Sequence, residues 1–169
     1  MDFRLCQLVE SAIGKAVQRD IDQGFASEDS AQFEPDDLDD DMSLGDRINR
    51  MFEVMAPALD DFIASVIGQG DPALGAAWTK LVQIKDGKKG APADKTYNPH
   101  DPQVQFRILT ESSITSSFKA GWYPFNKSFG KAGESLAIEL REVRNNWAHN
   151  GTFSDDDAYR ALDTGERLL

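Results

Sequence analysis

The apolar residues of this chain recur at steps of three and four, the spacing that places side chains on one face of an α-helix. The first such stripe predicts a helix from about Asp2 to Gln23, where Gly24 is a natural stop. Its apolar positions are Leu5, Leu8, Val9, Ala12, Ile13, Ala16, Val17 and Ile21. One face of this predicted helix is therefore apolar along its whole length.

A second helix is predicted to begin after Ser43, with Asp46 three residues on as the acidic partner of a capping box. Pro57 is expected to end or kink this helix, because proline lacks the N–H that a helix interior requires. A further helical segment then continues to about Ile67. The two segments carry the apolar residues Ile48, Met51, Phe52, Met55, Leu59, Phe62, Ile63 and Val66.

The middle of the chain predicts two helices and a loop. A short helix follows Asp71-Pro72, and a long helix runs from Pro102 to about Lys119. Between them, the glycines and prolines from Lys85 to Asp101 predict a loop.

The last third of the chain predicts an aromatic turn from Gly121 to Phe125 and then two more helices. One runs from about Gly130 to Asn150, and the other begins at Ser154, which precedes three aspartates. No segment alternates with period two for long enough to predict a strand. We therefore predict an all-α fold, a bundle of about five or six helices.

Length and composition favour one domain over residues 1–169. The apolar ending Leu168-Leu169 suggests that this domain is the N-terminal module of a longer protein. No apolar run is long enough to span a bilayer, so no membrane is expected as a partner. A single cysteine, Cys6, and the lack of an apolar signal core behind Met1 favour a cytoplasmic location.

The net charge of -11 argues against nonspecific binding of nucleic acid by the surface as a whole. Nine acidic residues between Glu28 and Asp46, with no basic residue among them, predict an acidic loop at residues 25–42. This loop is either simply solvated, or a docking segment for a basic partner, or a nucleic-acid mimic that covers the protein's own basic face. From Thr79 to His149 the balance is reversed, with 11 Lys and Arg against 7 Asp and Glu.

Most familiar catalytic motifs are missing from the sequence, among them the phosphate-binding loop, the H-E-x-x-H zinc motif and the G-x-S-x-G elbow. His100 and His149 are the two histidines, so one chain cannot build a three-histidine metal site. His100, between two prolines, is interpreted as a loop residue. We expect no metal and no cofactor.

The segment from Glu139 to Gly151 concentrates polar groups at the end of a predicted helix. Within six residues it holds Arg144, two asparagines and His149. An arginine can bind a phosphate through two hydrogen bonds, and a histidine can move a proton at neutral pH. Cleavage of RNA without a metal requires these two tasks, since a base takes the 2′-hydroxyl proton and a cation stabilises the charge on the phosphorane.

The spacing of Arg144 and His149 raises an objection. Residues five apart on a helix lie about 140° apart around its axis. The two side chains share a face only if the helix loosens near Gly151 or a second chain completes the site. In the structural alternative, His149 caps the helix and Arg144 pairs with an acid such as Glu142 or Asp155.

An all-α chain with Arg144-Asn145-x-x-x-His149 near its end resembles the HEPN superfamily, the higher eukaryote and prokaryote nucleotide-binding domains. The longer strings Leu140 to His149 and Phe153 to Leu162 are similar to one branch of it. That branch occurs in a eukaryotic mRNA quality-control endoribonuclease and in prokaryotic defence proteins. The likeness is close from Glu139 to Leu169.

This resemblance implies a homodimer that brings Arg and His from both protomers to one cleft and cuts RNA without a metal, leaving a cyclic phosphate. By position, Arg144 would hold the scissile phosphate, Asn145 would orient it and His149 would act as base or acid. The neighbours expected to contact RNA are Arg141, Asn146, Lys127 and Lys131.

Superfamily members without activity imply a second reading, a noncatalytic module. Such a module would dimerise, interact with other domains or a defence-complex partner, or sense RNA. The negative charge and the modest basic stretch favour it. The three tryptophans are predicted to anchor the core or a dimer interface rather than to stack on bases; they are Trp78, Trp122 and Trp147.

Overall fold

The computed structural model describes residues 42–169, and the predicted helix from Asp2 to Gln23 and the acidic loop up to Asp41 lie outside this range. Within it the chain forms eight helices and no strand. The all-α prediction is therefore confirmed. The helices are α1 (Leu44–Gly68), α2 (Pro72–Gly75), α3 (Thr79–Gly87), α4 (Pro102–Thr110), α5 (Ser112–Phe118), α6 (Phe125–Ser128), α7 (Gly130–Ala148) and α8 (Asp155–Leu168).

Helix α1 is the longest element, with 25 residues, and it packs against α2, α4 and α8. Ser43 caps it as predicted, since its Oγ accepts a hydrogen bond from the backbone N–H of Asp46 at 3.1 Å. The expectation that Pro57 ends the helix is wrong. Proline has no N–H to donate to the carbonyl of Glu53, one turn earlier. Both Pro57 and Glu53 are exposed, so water can hydrogen-bond to that carbonyl. The buried face of the helix continues on both sides of Pro57.

The predicted single helix from Pro102 to Lys119 is divided at Glu111, whose φ of -99° and ψ of 85° lie outside the helical region. The Glu111 carboxylate accepts a hydrogen bond from Arg141 of α7 at 2.6 Å and lies 3.5 Å from Arg107 Nε. A contact with a helix 30 residues away thus decides the break between α4 and α5. Local periodicity carries no information about that contact.

An ionic cluster joins α3, the loop after it, α4 and α7. Arg107 donates two hydrogen bonds to Asp86, at 2.9 and 2.8 Å, and the Tyr97 hydroxyl donates a third at 2.5 Å. The Arg107 guanidinium holds the pKa of Asp86 well below its usual range, and the hydrogen bonds to Asp86 raise the pKa of Arg107. Both side chains are more than four-fifths buried, and Glu111 extends the cluster to Arg141.

The hydrophobic core lies between α1, α3, α4, α5, α7 and α8. Trp78 is buried in it and donates a hydrogen bond from Nε1 to Asp60 at 2.6 Å. Trp122 is partly buried against the core, whereas Trp147 is 36% exposed. The largest fully buried side chains besides Trp78 are Phe106, Ile48, Met55, Ile63, Ile67, Leu81, Ile108, Ile114 and Leu140.

We expect Asp86→Asn to lower the free energy of unfolding by about 3 kcal/mol at pH 7, because it removes the carboxylate that makes both short hydrogen bonds to the buried Arg107 charge. The pKa of Asp86 is lower in the folded than in the unfolded chain. The contribution of Asp86 is therefore complete above the unfolded pKa of about 3.9 and declines as the pH falls towards the folded value. Urea unfolding at pH 7 and below pH 4 measures both effects.

The matched control for this variant is Asp94→Asn, which removes an exposed carboxylate from the loop that also carries Tyr97. We expect it to change the free energy of unfolding by less than about 0.5 kcal/mol. A difference between wild type and Asp86→Asn that does not shrink in acid would show that the ionised pair is not the source of the stability.

Candidate functional site

The polar segment identified in the sequence occupies the carboxyl end of α7, where the chain turns sharply. Asn150 adopts a left-handed conformation with φ of 55°, and its N–H donates to Trp147 O at 3.1 Å. The N–H of Gly151 donates to Asn146 O at 2.8 Å. These two bonds form a Schellman motif, with His149 as the C-cap residue. The backbone of His149 is therefore held in one defined conformation.

Arg144 lies one turn earlier on α7 and points towards the protein. Its side chain is 18% exposed, and Nη2 lies 3.7 Å from Oδ1 of Asp101. This partner is neither Glu142 nor Asp155, the acids that the sequence suggested. Asp101 also caps α4, because its Oδ1 accepts a hydrogen bond from the backbone N–H of Gln103 at 2.9 Å. One carboxylate thus fixes the start of α4 and the position of Arg144.

The corner that carries Asp101 is held against α1 by buried polar contacts. Gln105, which is fully buried, donates from Nε2 to Ala56 O and to Pro99 O, both at 2.7 Å. His100 Nε2 lies 3.3 Å from Asp60, the carboxylate that also accepts from Trp78. Because these contacts anchor the residues on both sides of Asp101, the partner of Arg144 occupies a defined place.

Asn145 and Asn146 differ in their surroundings. Asn145 is half-buried, whereas Asn146 is exposed and its amide lies against the α-carbon of Gly151. A Cβ added to Gly151 would stand 1.8 Å from Asn146 Oδ1, so a larger residue at position 151 would displace the Asn146 side chain. Trp147 turns towards the start of α1, with Cδ1 4.0 Å from the place that a Cβ on Gly45 would take.

His149 is exposed, and within residues 42–169 its imidazole makes no hydrogen bond or ion pair. The helix stays regular through Ala148, and the N–H of His149 donates to Asn145 O. The turn of about 140° between Arg144 and His149 is therefore kept. One protomer places the guanidinium inward and the imidazole outward and does not bring the two together.

The remaining residues predicted to contact RNA lie in two places. Arg141 is next to Arg144 on the inner side of α7, where it donates to Thr110 at 3.0 Å and to Glu111 at 2.6 Å. Lys127 and Lys131 are exposed at the other end of α7, and Lys131 pairs with Glu134 at 2.7 Å. Lys131 and Arg144 are 13 residues apart, so about 20 Å of helix separates them.

Two residues that support the site were not singled out from the sequence, namely Asp101 as the partner of Arg144 and Asn150 as the left-handed residue of the turn. Both carry a local signal. An Asp-Pro pair is typical of a helix start, and Asn-Gly is typical of a left-handed helix end. Neither signal shows which distant side chain the residue will contact.

The described residues contain no group of three or more His, Cys, Asp or Glu side chains placed to hold a metal ion. None of the helices between residues 42 and 169 has the length and hydropathy needed to cross a bilayer.

Comparison with known proteins gives one match. Residues 50–169, well over half of the chain, match the protein family described as Swt1-like HEPN. A search of curated proteins and a search of solved structures found no match. The matched range contains the whole α7 terminus and most of the helical bundle, and it confirms the resemblance to the HEPN superfamily that the Arg144 to His149 segment indicated. The chain belongs to the Swt1-like HEPN family.

Proposed function

We propose that this domain is a metal-independent endoribonuclease whose active site forms between two copies of the chain, in phage defence or RNA quality control. The observation that carries the proposal is the different placement of Arg144 and His149 at the end of α7. An arginine is held in place by a carboxylate, and an exposed histidine, whose imidazole has no partner among residues 42–169, is the C-cap residue of the helix.

Arg144 suits the binding of a phosphate. Its guanidinium is more than four-fifths buried yet reaches Asp101 only at 3.7 Å, a distance longer than a hydrogen bond. A scissile phosphate can therefore form two short hydrogen bonds with Arg144 without breaking a strong existing bond. Asp101 keeps the side chain oriented before RNA arrives, which reduces the entropy lost on binding.

His149 suits proton transfer in the cleavage of RNA. An imidazole takes the proton of the 2′-hydroxyl while its oxygen attacks the adjacent phosphorus. The 5′-oxygen leaves with a proton, so the products are a 2′,3′-cyclic phosphate and a 5′-hydroxyl end. An exposed imidazole with no competing partner among residues 42–169 is available to take the proton of the 2′-hydroxyl and to return it to the leaving 5′-oxygen.

The geometry of the α7 terminus supports a site shared by two copies. Arg144 and His149 of one chain point about 140° apart, so a phosphate bound to the first is out of reach of the second. Two α7 termini that meet about a two-fold axis place the arginine of one protomer opposite the histidine of the other. Ile138, which is 46% exposed on the outer side of α7, and Trp147 supply apolar surface for such a contact.

A noncatalytic module is the second candidate, and one observation favours it. Both inward arginines of α7 already face carboxylates, Arg141 with Glu111 and Arg144 with Asp101. Their charges are thus partly neutralised, which weakens the cationic groove that RNA requires. In this reading α7 supports dimerisation or RNA sensing in a larger defence protein, and no cleavage occurs.

We expect His149→Ala and Arg144→Ala each to lower the rate of RNA cleavage in EDTA at least 100-fold, since each removes a group needed in the transition state. The rate is measured on a labelled RNA with the purified chain. The matched control is Arg160→Ala, which removes an exposed arginine of α8. Equal cleavage by all four proteins, or by none, would favour the noncatalytic module.

A mixture of the two inactive chains tests the shared site. In a heterodimer of Arg144→Ala with His149→Ala, one cleft keeps an arginine from one chain opposite a histidine from the other. Half of the dimers in an equal mixture are heterodimers with one such pair, so we expect about a quarter of the wild-type rate. A mixture as inactive as its components would mean that both groups must come from the same chain.

The left-handed conformation of Asn150 is expected to position His149. Asn150→Gly keeps this conformation and should leave stability and cleavage within about twofold of wild type. Asn150→Val strains it by about 1–2 kcal/mol, so the helix end should rearrange and cleavage fall tenfold or more. Thermal unfolding and initial rates are compared for both variants. Equal rates for glycine and valine would exclude a role for this turn.

A further inference from the structure

The surface between α1 and α8 carries an open apolar groove of about 380 Å³. We call it the α1–α8 groove and define it by Met51, Val54, Met55, Leu162, Gly165 and Leu169. The residues from α1 and those from α8 each recur at steps of three or four, so each helix offers one continuous face. Apolar faces on two neighbouring helices form a hydrophobic groove, and an amphipathic helix can bind in such a groove.

The groove leaves large apolar side chains in contact with solvent. Val54 is 61% exposed and Leu162 is 39% exposed, although both belong to long, regular helices. The floor is tightly packed, since a Cβ on Gly165 would stand 2.7 Å from the sulfur of Met51. The exposed residues therefore line a firm groove rather than a gap left by poor packing.

We propose that the amino-terminal segment of the same chain, residues 2–23, docks into the α1–α8 groove as a helix. Its sequence has the matching pattern, an apolar stripe of eight residues from Leu5 to Ile21. A helix over these 17 residues is about 25 Å long, enough to cover the groove and the turns beside it. The segment lies outside the family match, while most groove residues lie inside it.

The connection favours docking within one chain. The segment outside the described residues ends at Asp41, and the next residue, Met42, itself lines the groove. Residues 24–41 form a connection of up to about 60 Å, so the stripe can reach the groove in either direction. A tether of this length gives an effective concentration in the millimolar range, well above that of a second copy.

Charge points to the same occupant. Residues 1–41 hold 12 acidic and 3 basic side chains, whereas Arg47 and Arg50 stand at the edge of the groove, where Arg50 also lies 3.2 Å from Glu53. The connection that follows a docked helix must pass this edge, because it joins α1 at Ser43. Its acidic residues then approach the two arginines, which opposes the docking of a basic partner in the same place.

The lone cysteine makes a direct test possible in the full-length chain. Cys6 lies between Ile13 and Val17 around the predicted helix, so a spin label there reports on the stripe without replacing any of its eight residues. We expect the label to remove more than half of the methyl signal intensity of Val54 and Leu162. Val9→Asp with Ile13→Asp, which places charge on the stripe, should restore both signals.

The matched control is Ser11→Asp with Gln18→Asp, which adds the same charge to the opposite face of the predicted helix and should leave the signal loss unchanged. Val54→Asp provides a reciprocal variant, because this residue is exposed and its replacement does not disturb the core. It should restore the signal of Leu162 while the remaining spectrum stays that of the folded chain.

A mixed sample separates this proposal from occupation by a second copy. Spin-labelled chains without isotopes are combined with isotope-labelled chains that carry no spin label. We expect no loss of signal in the mixture. Signal loss that passes between chains would assign the groove to a second copy, and the absence of any loss in the singly labelled chain would leave the segment elsewhere; either result overturns the proposal. The test holds whether or not the chain cleaves RNA.

Discussion

Two carboxylates on either side of α4 hold the bundle in register. Asp86 receives both ends of the Arg107 fork, and Glu111 turns the chain out of α4 and binds Arg141 of α7. These pairs are mostly buried, where a missing partner costs far more than an existing pair contributes. These ion pairs therefore favour the observed arrangement of helices α3, α4 and α7. This arrangement sets the position of the α7 terminus.

The candidate site inherits its geometry from that arrangement. Helix α4 begins at Asp101, and this residue holds Arg144 on the inner side of α7. The other end of the segment is independent of these contacts, because the left-handed turn at Asn150 and the close approach of Asn146 to Gly151 fix His149 locally. A guanidinium held by tertiary contacts and an imidazole held by a helix cap point in different directions. That divergence is the reason why we propose that a second protomer completes the site.

The sequence predicted helix starts well where the signal is chemical and local. Ser43, Asp101-Pro102 and Ser154 begin helices α1, α4 and α8 as expected, because a side-chain oxygen next to free backbone N–H groups is sufficient to stabilise a helix start. It was wrong at Glu111, and α1 does not end at Pro57, where the sequence predicted an end or a kink. At Pro57 the packing of a buried face outweighs one lost hydrogen bond, and at Glu111 an ion pair with a distant arginine outweighs helix propensity.

By itself the sequence determined the all-α class, the family and the identity of the polar residues at the end of α7. Each of these depends on side-chain chemistry at short separation, which periodicity and spacing record directly. The tertiary structure alone decided that Arg144 faces Asp101, that Arg141 is engaged by Glu111, and that Lys127 in α6 and Lys131 in the first turn of α7 lie far from the α7 terminus. These are contacts or distances set by how helices pack, and the free energy of packing depends on partners that lie far away along the chain.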